Sequence, residues 1–311
     1  MSLKIGILGD GAMSNAISHI LSQNGIFCEV FSRKNGNVSQ IKQCDVAFVC
    51  IPSGSVVEYL DSLCKIPTIV SCSKGLSGND DFFISKLFNE SQFCVLAGPN
   101  FANEILENAM TITTIASKNL ENIKTIASML QNDIFEVEES SEVLGVEICG
   151  IVKNAMAIIM GYISVKTNFW NEKSIVLTKC FGELSQILEY FGCDKSALQL
   201  SCGIGDIFLT CSTTNSRNFK FGANFANGIE DSTKTVEGLR SFEFIRKLPI
   251  EIPILKGYAR TIVQLWTFYF LEKERYNARA IAWIDIPTTI AVSINTDGMG
   301  SVNVAFEFAG L

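Results

Sequence analysis

A lysine and an asparagine interrupt one of the most apolar stretches of this sequence. Lys153 and Asn154 lie within EICGIVKNAMAIIMG, residues 147–161, where apolar helix-forming residues surround them. An unpaired ammonium there would lose much hydration free energy, and a desolvated lysine close to a second cation can exchange protons near neutral pH. The stretch therefore predicts a proton-transferring lysine. The alternative is a structural lysine whose ammonium reaches solvent beside a carboxylate such as Glu147.

A second polar block indicates binding of a phosphate. GIGDIFLT, residues 203–210, contains Asp206, and TNSRN, residues 214–218, has the pattern of a helix start with Asn215 or Ser216 as the N-cap. The free N–H groups of a helix start, together with an arginine side chain, suit a phosphate monoester. An ordinary capped surface helix would give the same local pattern.

A glycine-rich turn after the first predicted strand favours dinucleotide binding. KIGILG, residues 4–9, continues into Gly-Asp-Gly-Ala-Met-Ser, residues 9–14. Gly9 and Gly11 would allow a tight turn and a close approach of a pyrophosphate to the backbone. Serine at the third position, Ser14, predicts slightly weaker packing of the strand against the helix. A plain turn is the alternative.

The residues that follow other predicted strands extend this site. Strand two ends in Arg33 and Lys34, where NAD-specific proteins usually carry an acidic residue for the ribose hydroxyls. The two cations predict NADP(H), with a solvated basic turn as the alternative. Lys74 directly follows another apolar strand, and the carboxyl ends of parallel strands converge on the ligand crevice.

The first half of the chain alternates β-rich runs with helical spacing, which predicts an α/β fold with a doubly wound parallel sheet. The predicted strands cover residues 4–9, 27–32, 45–52, 68–75, 93–99, 111–117 and 134–139. The predicted helices of the second half cover residues 141–164, 171–192, 195–201, 217–228 and 234–247. We therefore expect a dinucleotide-binding domain at 1–140 and a mainly helical substrate-binding domain at 141–311. Residues 276–311 look β-rich around the turn TDGMGS, and we assign them no role.

Composition argues against several classes of protein. The net charge of −7, with no Lys/Arg-rich block, argues against a nucleic-acid partner. The chain opens without a basic signal-peptide region, and charges interrupt its longest apolar runs, so we expect a soluble cytoplasmic protein with no membrane association. Eleven cysteines without C-x-x-C pairs fit a reducing compartment, and the single histidine, His19, argues against a metal site.

Together these segments resemble the bacterial NAD(P)-dependent glycerol-3-phosphate dehydrogenases from residue 4 to about residue 255. The matching blocks occur in order as G-x-G-x-x, VCIPS, SKG, VLAGPNFANE, EVLGVEICGIVKNAMAI, GIGDIFLTCSTTNSRNFKFG and VEG. The resemblance implies a Rossmann domain followed by an all-α substrate domain like the C-terminal domain of 6-phosphogluconate dehydrogenase. It also implies interconversion of dihydroxyacetone phosphate and sn-glycerol 3-phosphate with NADP(H) preferred over NAD(H), for phospholipid synthesis, by a protein that could form a homodimer.

The resemblance also implies a role for each matched residue. Lys153 would be the proton acceptor, Lys74 would contact both cofactor and substrate, and Asp206 would face the substrate hydroxyls. The implied substrate-binding residues are Lys74, Gly98, Asn100, Lys153, Asp206, Ser216, Arg217 and Asn218. The implied cofactor-binding residues are Gly9, Gly11, Ala12, Met13, Arg33, Lys74, Ala102, Arg217, Thr235 and Glu237. No metal is implied.

Three features depart from the family pattern. Met13 and Ser14 replace an aromatic residue and a glycine, and only eleven residues separate Arg33 from Asp45, so the helix and strand that usually follow strand two are missing or vestigial. The sequence after residue 255 also differs from the family's helical ending. Two other readings are another two-domain dehydrogenase acting on a 2- or 3-hydroxy acid, and a non-catalytic dinucleotide-binding module.

Overall fold

The computed structural model describes residues 3–78, 82–229, 237–271, 290–296 and 302–308. The strands are β1 (Ile5–Leu8), β2 (Glu29–Phe31), β3 (Val46–Val49), β4 (Thr68–Ser71), β5 (Leu76–Ser77), β6 (Phe82–Phe83), β7 (Phe93–Ala97), β8 (Thr111–Ser117), β9 (Phe135–Ser140), β10 (Ile290–Thr296) and β11 (Val302–Phe308). The α-helices are α1 (Ala12–Gln23), α2 (Leu60–Leu63), α3 (Ala102–Leu106), α4 (Leu120–Leu130), α5 (Val143–Lys166), α6 (Trp170–Tyr190), α7 (Asp206–Ser212), α8 (Arg217–Ala226), α9 (Glu237–Lys247) and α10 (Pro253–Leu271). A Rossmann-like sheet followed by a helical portion confirms the predicted fold class.

Seven strands form one sheet in the order β2-β1-β3-β4-β7-β8-β9. Its central strands are apolar on both faces because helices or loops cover both sides, which explains why their sequences read as continuous apolar runs. α1 and α4 pack on one face through buried residues such as Ile17, Ile20, Ile126 and Leu130. The prediction of an all-parallel sheet is wrong at one pair, since β8 runs antiparallel to β7.

The reversal at β8 has a simple geometric cause. In a parallel pair, a crossover must return the chain from the carboxyl end of the first strand to the opposite end of the sheet, where the second strand starts. The segment between Ala97 and Thr111 contains only the short helix α3. β8 therefore begins beside the carboxyl end of β7. The next pair, β8 and β9, is parallel because α4 provides such a crossover.

The expected shortening after strand two is confirmed. A 3-10 helix, Val38–Gln43, is the only regular element between β2 and β3 in this described stretch. β2 therefore pairs with β1 alone and forms one edge of the sheet.

The helical portion is built around α5. Twenty of its 24 residues are buried, and α6, α8, α9 and α10 pack against it. By length and composition α5 could span a membrane, but 94% of its most apolar window is buried inside the protein, so it is the core helix here. α5 and α8 cross closely, because a Cβ at Gly161 would overlap the carbonyl oxygen of Phe219 and one at Gly222 would overlap that of Ile158.

In the second half of the chain, one predicted helix is wrong, and the predicted β-rich tail lies only partly within the described residues. Residues 195–201 do not form the predicted helix but a 3-10 helix, Lys195–Leu198, followed by a π-helical segment, Ser201–Gly205. The β-rich reading of the tail is confirmed for β10 and β11, which pair antiparallel. The predicted turn between them falls outside the described residues.

Candidate active site

Asp206 joins two lysines in a buried cluster. One carboxylate oxygen, Oδ1, accepts a hydrogen bond from Lys153 Nζ at 2.8 Å, and Oδ2 accepts one from Lys74 Nζ at 3.1 Å. Asp206 is 1% exposed and Lys153 is 4% exposed, so these charges interact with little screening from water. The cluster therefore brings two amines and one carboxylate together in a buried position.

Lys153 lies on α5, and both hydrogen-bond partners of its ammonium among the described residues lie on α7. Its ammonium donates to Asp206 Oδ1 and, at 3.0 Å, to Thr210 Oγ1. Thr210, one helical turn after Asp206, donates in turn to Asp206 Oδ1 at 3.1 Å. The alternative of a solvent-reaching Lys153 beside Glu147 is wrong, since Glu147 instead accepts hydrogen bonds from the backbone N–H and hydroxyl of Ser85.

Lys74 approaches the cluster from the loop after β4. Besides Asp206, its ammonium donates to the carbonyl oxygen of Gly98 at 3.0 Å and to Asn100 Oδ1 at 2.8 Å. The stem of Lys74 lies against Gly150, one turn before Lys153 on α5. The predicted residues Lys74, Gly98 and Asn100 thus meet at the carboxyl ends of neighbouring strands.

Burial and charge act in opposite directions on this cluster. Burial, reinforced by the nearby charge of Lys153, lowers the pKa of Lys74 despite the attraction of Asp206. Burial alone would raise the pKa of Asp206, but the ammonium groups of Lys153 and Lys74 outweigh it and hold that pKa below its usual value. The carboxylate therefore stays ionised and keeps both amines in place.

A π-helical turn aims Asp206 into the cluster. Ser201–Gly205 leads directly into α7, and π-turns often occur at functional sites. A Cβ at Gly203 would lie 2.5 Å from the carbonyl oxygen of Leu198, so only glycine allows this tight approach. Sequence spacing alone could not reveal this turn.

The residues predicted to bind a phosphate lie at the start of α8. Ser216 is its N-cap and accepts a hydrogen bond from the backbone N–H of Phe219 at 3.3 Å. Asn218 Nδ2 donates to Asn154 Oδ1 at 3.0 Å, which connects this helix start to α5 beside Lys153. Arg217, the first residue of α8, is exposed.

Asn154 carries an unused donor at this position. The residue is 3% exposed, and its Nδ2 group has no hydrogen-bond partner among the described residues. A buried donor of this kind is costly unless a ligand accepts from it. Asn154 and Thr210 were absent from the predicted set of site residues, although Asn154 adjoins Lys153 and Thr210 follows Asp206 at helical spacing.

The glycine turn has the geometry of a dinucleotide site. Gly9 has φ +114°, and a Cβ there would lie 2.6 Å from the carbonyl oxygen of Cys50, whereas space is open around Gly11. Ser14 Oγ is buried and donates to the carbonyl oxygen of Gly9 at 2.6 Å. This hydroxyl bond stabilises the turn, and the slightly weaker packing of strand against helix stays a prediction.

Other predicted cofactor residues surround the same turn. Ala12 is exposed at the start of α1, and no acidic residue occupies the first turn of that helix, so its N–H groups can donate hydrogen bonds to an anion. Met13 and Ala102 are half-buried on the face of the sheet that α1 covers. An open glycine turn at a helix N-terminus fits the pyrophosphate of NADP(H) or NAD(H).

The two basic residues after β2 differ from each other. Lys34 forms an exposed ion pair with Asp10 at 2.9 Å. Arg33 is exposed two residues after the end of β2, and its charge also acts on Asp10.

Glu237 and Thr235 were predicted from the VEG block. Glu237 begins α9, and burial raises the pKa of its carboxyl while the nearby charges of Arg217, Lys153 and Lys74 oppose that increase. The backbone N–H of the next residue, Gly238, donates to Asn218 Oδ1 at 3.2 Å, so the start of α9 contacts the start of α8. Thr235 lies outside the described residues.

Comparisons with known proteins agree with this arrangement. Residues 38–123 match the family model described as NAD-dependent glycerol-3-phosphate dehydrogenase N-terminus, and residues 142–265 match the model of its C-terminus. The NAD(P)+ glycerol-3-phosphate dehydrogenase of Methanothermobacter thermautotrophicus is 28% identical, over 84% of this chain and 93% of the relative. The enzyme of the same name from Acinetobacter baylyi is 27% identical, over 81% of this chain and 83% of the relative.

A solved structure shares the fold. The crystal structure of glycerol-3-phosphate dehydrogenase from Coxiella burnetii has a TM-score of 0.75 and 22% identity, covering 85% of this chain and 95% of that chain. The two family models, the curated relatives and the shared fold together show that this chain belongs to the NAD-dependent glycerol-3-phosphate dehydrogenase family.

Proposed function

We propose that this protein interconverts dihydroxyacetone phosphate and sn-glycerol 3-phosphate by hydride transfer with a nicotinamide cofactor. The observation that carries the proposal is the buried cluster in which Asp206 holds Lys153 and Lys74 on its two oxygens. Oxidation of a secondary alcohol requires removal of a hydroxyl proton as hydride leaves carbon, and ketone reduction requires the reverse. A buried amine held in a fixed orientation suits that proton transfer.

Lys153 is the group proposed to move the proton. Its ammonium would donate to the ketone oxygen during reduction, and its neutral amine would accept the hydroxyl proton during oxidation. Asp206 and Thr210 hold Nζ at 2.8 Å and 3.0 Å, which fixes the direction of the transferred hydrogen. The nicotinamide supplies or accepts the hydride.

Lys74 and Asp206 would orient the substrate around that proton. Lys74 belongs to the sheet portion and contacts Asp206 of the helical portion, so its ammonium lies between the expected cofactor side and the expected substrate side. Asp206 can accept hydrogen bonds from substrate hydroxyls. Fixing the reacting atoms in this way lowers the entropic cost of the step.

The phosphate would bind at the start of α8. Ser216 and Asn218 lie there, the exposed Arg217 can form a bidentate contact, and the unpartnered Nδ2 of Asn154 offers a further donor. Binding energy from this remote group positions the carbonyl for reaction. A hydroxy-acid substrate would place a smaller carboxylate at this position. A requirement for the phosphate group therefore distinguishes a triose phosphate from a hydroxy acid as the substrate.

We propose a preference for NADP(H) over NAD(H), supported by the exposed Arg33 after β2. We also propose that residues 1–140 hold the cofactor and 141–311 the substrate, in a cytoplasmic enzyme that supplies glycerol 3-phosphate for phospholipid synthesis. A homodimer is compatible with the proposal.

The direct test follows NADPH absorbance with dihydroxyacetone phosphate, dihydroxyacetone and ketopantoate as separate substrates. We expect turnover with the phosphate ester and little with the other two. Turnover of ketopantoate alone would support a hydroxy-acid dehydrogenase. NADPH binding without turnover of any triose phosphate would support a non-catalytic module and would refute the proposed reaction.

A further inference from the structure

A pair of cysteines lies side by side at the carboxyl ends of two neighbouring strands. Val49, the last residue of β3, pairs in register with Ser71, the last residue of β4, and the backbone N–H of Cys72 donates to the carbonyl oxygen of Val49 at 3.0 Å. Cys50 and Cys72 are therefore the next pair in register. Neighbouring strands lie about 4.8 Å apart, which is within the Cα separations that disulfides span.

The two thiols point to the same face of the sheet and interact. Both residues belong to the cluster of apolar side chains beneath α1. Contact with the Cys72 thiol, followed by burial, raises the pKa of the Cys50 thiol. Cys72 is 8% exposed and Cys50 is half-buried, so Cys50 is the more accessible of the two.

This pair adjoins the residues that we expect to hold the cofactor. The carbonyl oxygen of Cys50 lies against Gly9, and Cys50 shares the half-buried rim of its cluster with Met13 and Ala102. Cys72 lies two residues before Lys74. A covalent change at the pair would therefore alter both the glycine turn and the loop that carries Lys74.

Other thiols combine these features less well. The charges of Cys202 and the half-buried Cys193 act on Cys149, but Cys149 and Cys202 are both 0% exposed, in the core between α5 and the π-helical segment. Cys64 is exposed, and within the described residues its thiol forms no disulfide. Cys50 and Cys72 therefore combine matched register on neighbouring strands with partial access.

We propose that Cys50 and Cys72 form a redox-sensitive dithiol site at the floor of the cofactor crevice, which a peroxide converts to a disulfide that prevents cofactor binding. The Cys50 thiolate attacks one peroxide oxygen and breaks the O–O bond, giving a sulfenic acid and, after protonation, one water. The Cys72 thiol then attacks the Cys50 sulfur, forming the S–S bond and releasing the second water. The two thiols lose two electrons, and the peroxide gains them.

The raised pKa of Cys50 makes this reaction slow at neutral pH, because the thiolate is the nucleophile. Bound NADPH should slow it further by covering the crevice, an expectation that rests on the proposed function. With NADPH at about 100 times its Kd, roughly 1% of the enzyme is free, so oxidation should slow by up to ~100-fold. Reduction by a dithiol should restore the original state.

The test treats the full-length enzyme with hydrogen peroxide, blocks the remaining thiols, and digests it with trypsin. We expect a disulfide between the peptides 43–65 and 66–74, with fragmentation assigning it to Cys50 rather than Cys44 or Cys64. Activity should fall in parallel and return with dithiothreitol. In Cys72→Ser the sulfenic acid on Cys50 should persist and react with dimedone, whereas Cys64→Ser should behave like the unmodified protein.

The possible results separate three claims: the dithiol site, its position under the cofactor, and the proposed function. Absence of the Cys50–Cys72 linkage, or equal reversible inactivation of Cys72→Ser, would overturn the dithiol site. Linkage at an unchanged rate with NADPH bound, as measured by NADPH fluorescence, would overturn its placement under the cofactor. Failure of NADPH to bind the reduced enzyme would count against the proposed function instead. Cys50→Ala gives a second variant that should also lack the linkage.

Discussion

Replacing Asp206 with asparagine should destabilise the protein through the two lysines that it holds. The substitution preserves size but removes the negative charge between Lys153 and Lys74. Both ammonium groups would then lie in a largely buried site without a counterion. Asp133→Asn, at an exposed aspartate, is the matched control and should change stability little.

The magnitude follows from distance and burial. The two ion pairs are 2.8 Å and 3.1 Å long. At an effective dielectric constant of about 20, each attraction is roughly 5–6 kcal/mol, and desolvation of the buried charges offsets much of it. Removal of one partner of a buried pair typically costs about 3–5 kcal/mol, and we expect Asp206→Asn to fall in that range.

The pH dependence should reveal the cause. Without Asp206, burial and the charge of Lys153 would lower the pKa of Lys74 further below its usual value. The folded state then binds fewer protons than the unfolded state between that lowered pKa and the ordinary lysine pKa. Stability of the variant should therefore rise with pH through this window, approaching the wild-type value at alkaline pH.

Urea unfolding of single and double variants measures the coupling. Lys74→Met should destabilise the wild-type protein, because it removes one partner of Asp206. The same substitution should stabilise Asp206→Asn, because it removes an unpaired cation. An equal loss of stability in both backgrounds, or an Asp206→Asn variant as stable as wild type, would refute this account of the cluster.

Three further predictions concern a buried carboxyl, a helix crossing and the cofactor. Burial raises the pKa of Glu147 from 4.5 to about 7. Between these pH values the folded state holds a proton that the unfolded state has lost, so the free energy of unfolding should fall by about 3 kcal/mol as pH rises through that window. Glu147→Gln should abolish this fall in urea unfolding at pH 5 and 8, and an identical pH profile would contradict it. Gly222→Ala should separate α8 from α5 and weaken both stability and triose-phosphate binding, whereas Gly182→Ala, with open space around it, should stabilise by up to ~1 kcal/mol in thermal unfolding. Arg33→Ala should lower the NADPH/NADH ratio of kcat/KM, and an unchanged ratio would remove Arg33 from cofactor selection.

The sequence predicted most of the elements because their apolar patterns are strong. The central strands of the sheet are buried on both faces, so a strand such as residues 46–49 appears as a short continuous apolar run. The direction of β8 was not predictable in this way, since an apolar run carries no sign of its orientation. That direction depends on the short connection after Ala97.

The candidate site was predicted unevenly for similar reasons. Lys153 was predictable because a cation among apolar residues needs a partner, and Lys74 because it follows an apolar strand. The sequence could not show that both bind Asp206, because the contacts span 53 and 132 residues and depend on a π-helical turn. The hydrogen bond from the Ser14 hydroxyl to Gly9 was not predictable, because it depends on the local backbone geometry.

The most direct test of the central claim is the turnover number of Lys153→Met with saturating dihydroxyacetone phosphate and NADPH. We expect a fall in kcat of at least ~100-fold, the usual scale for loss of a general acid, with NADPH affinity unchanged. Lys166→Met, at the exposed end of the same helix, should keep normal turnover. Near-normal kcat in Lys153→Met would contradict the proposed proton transfer.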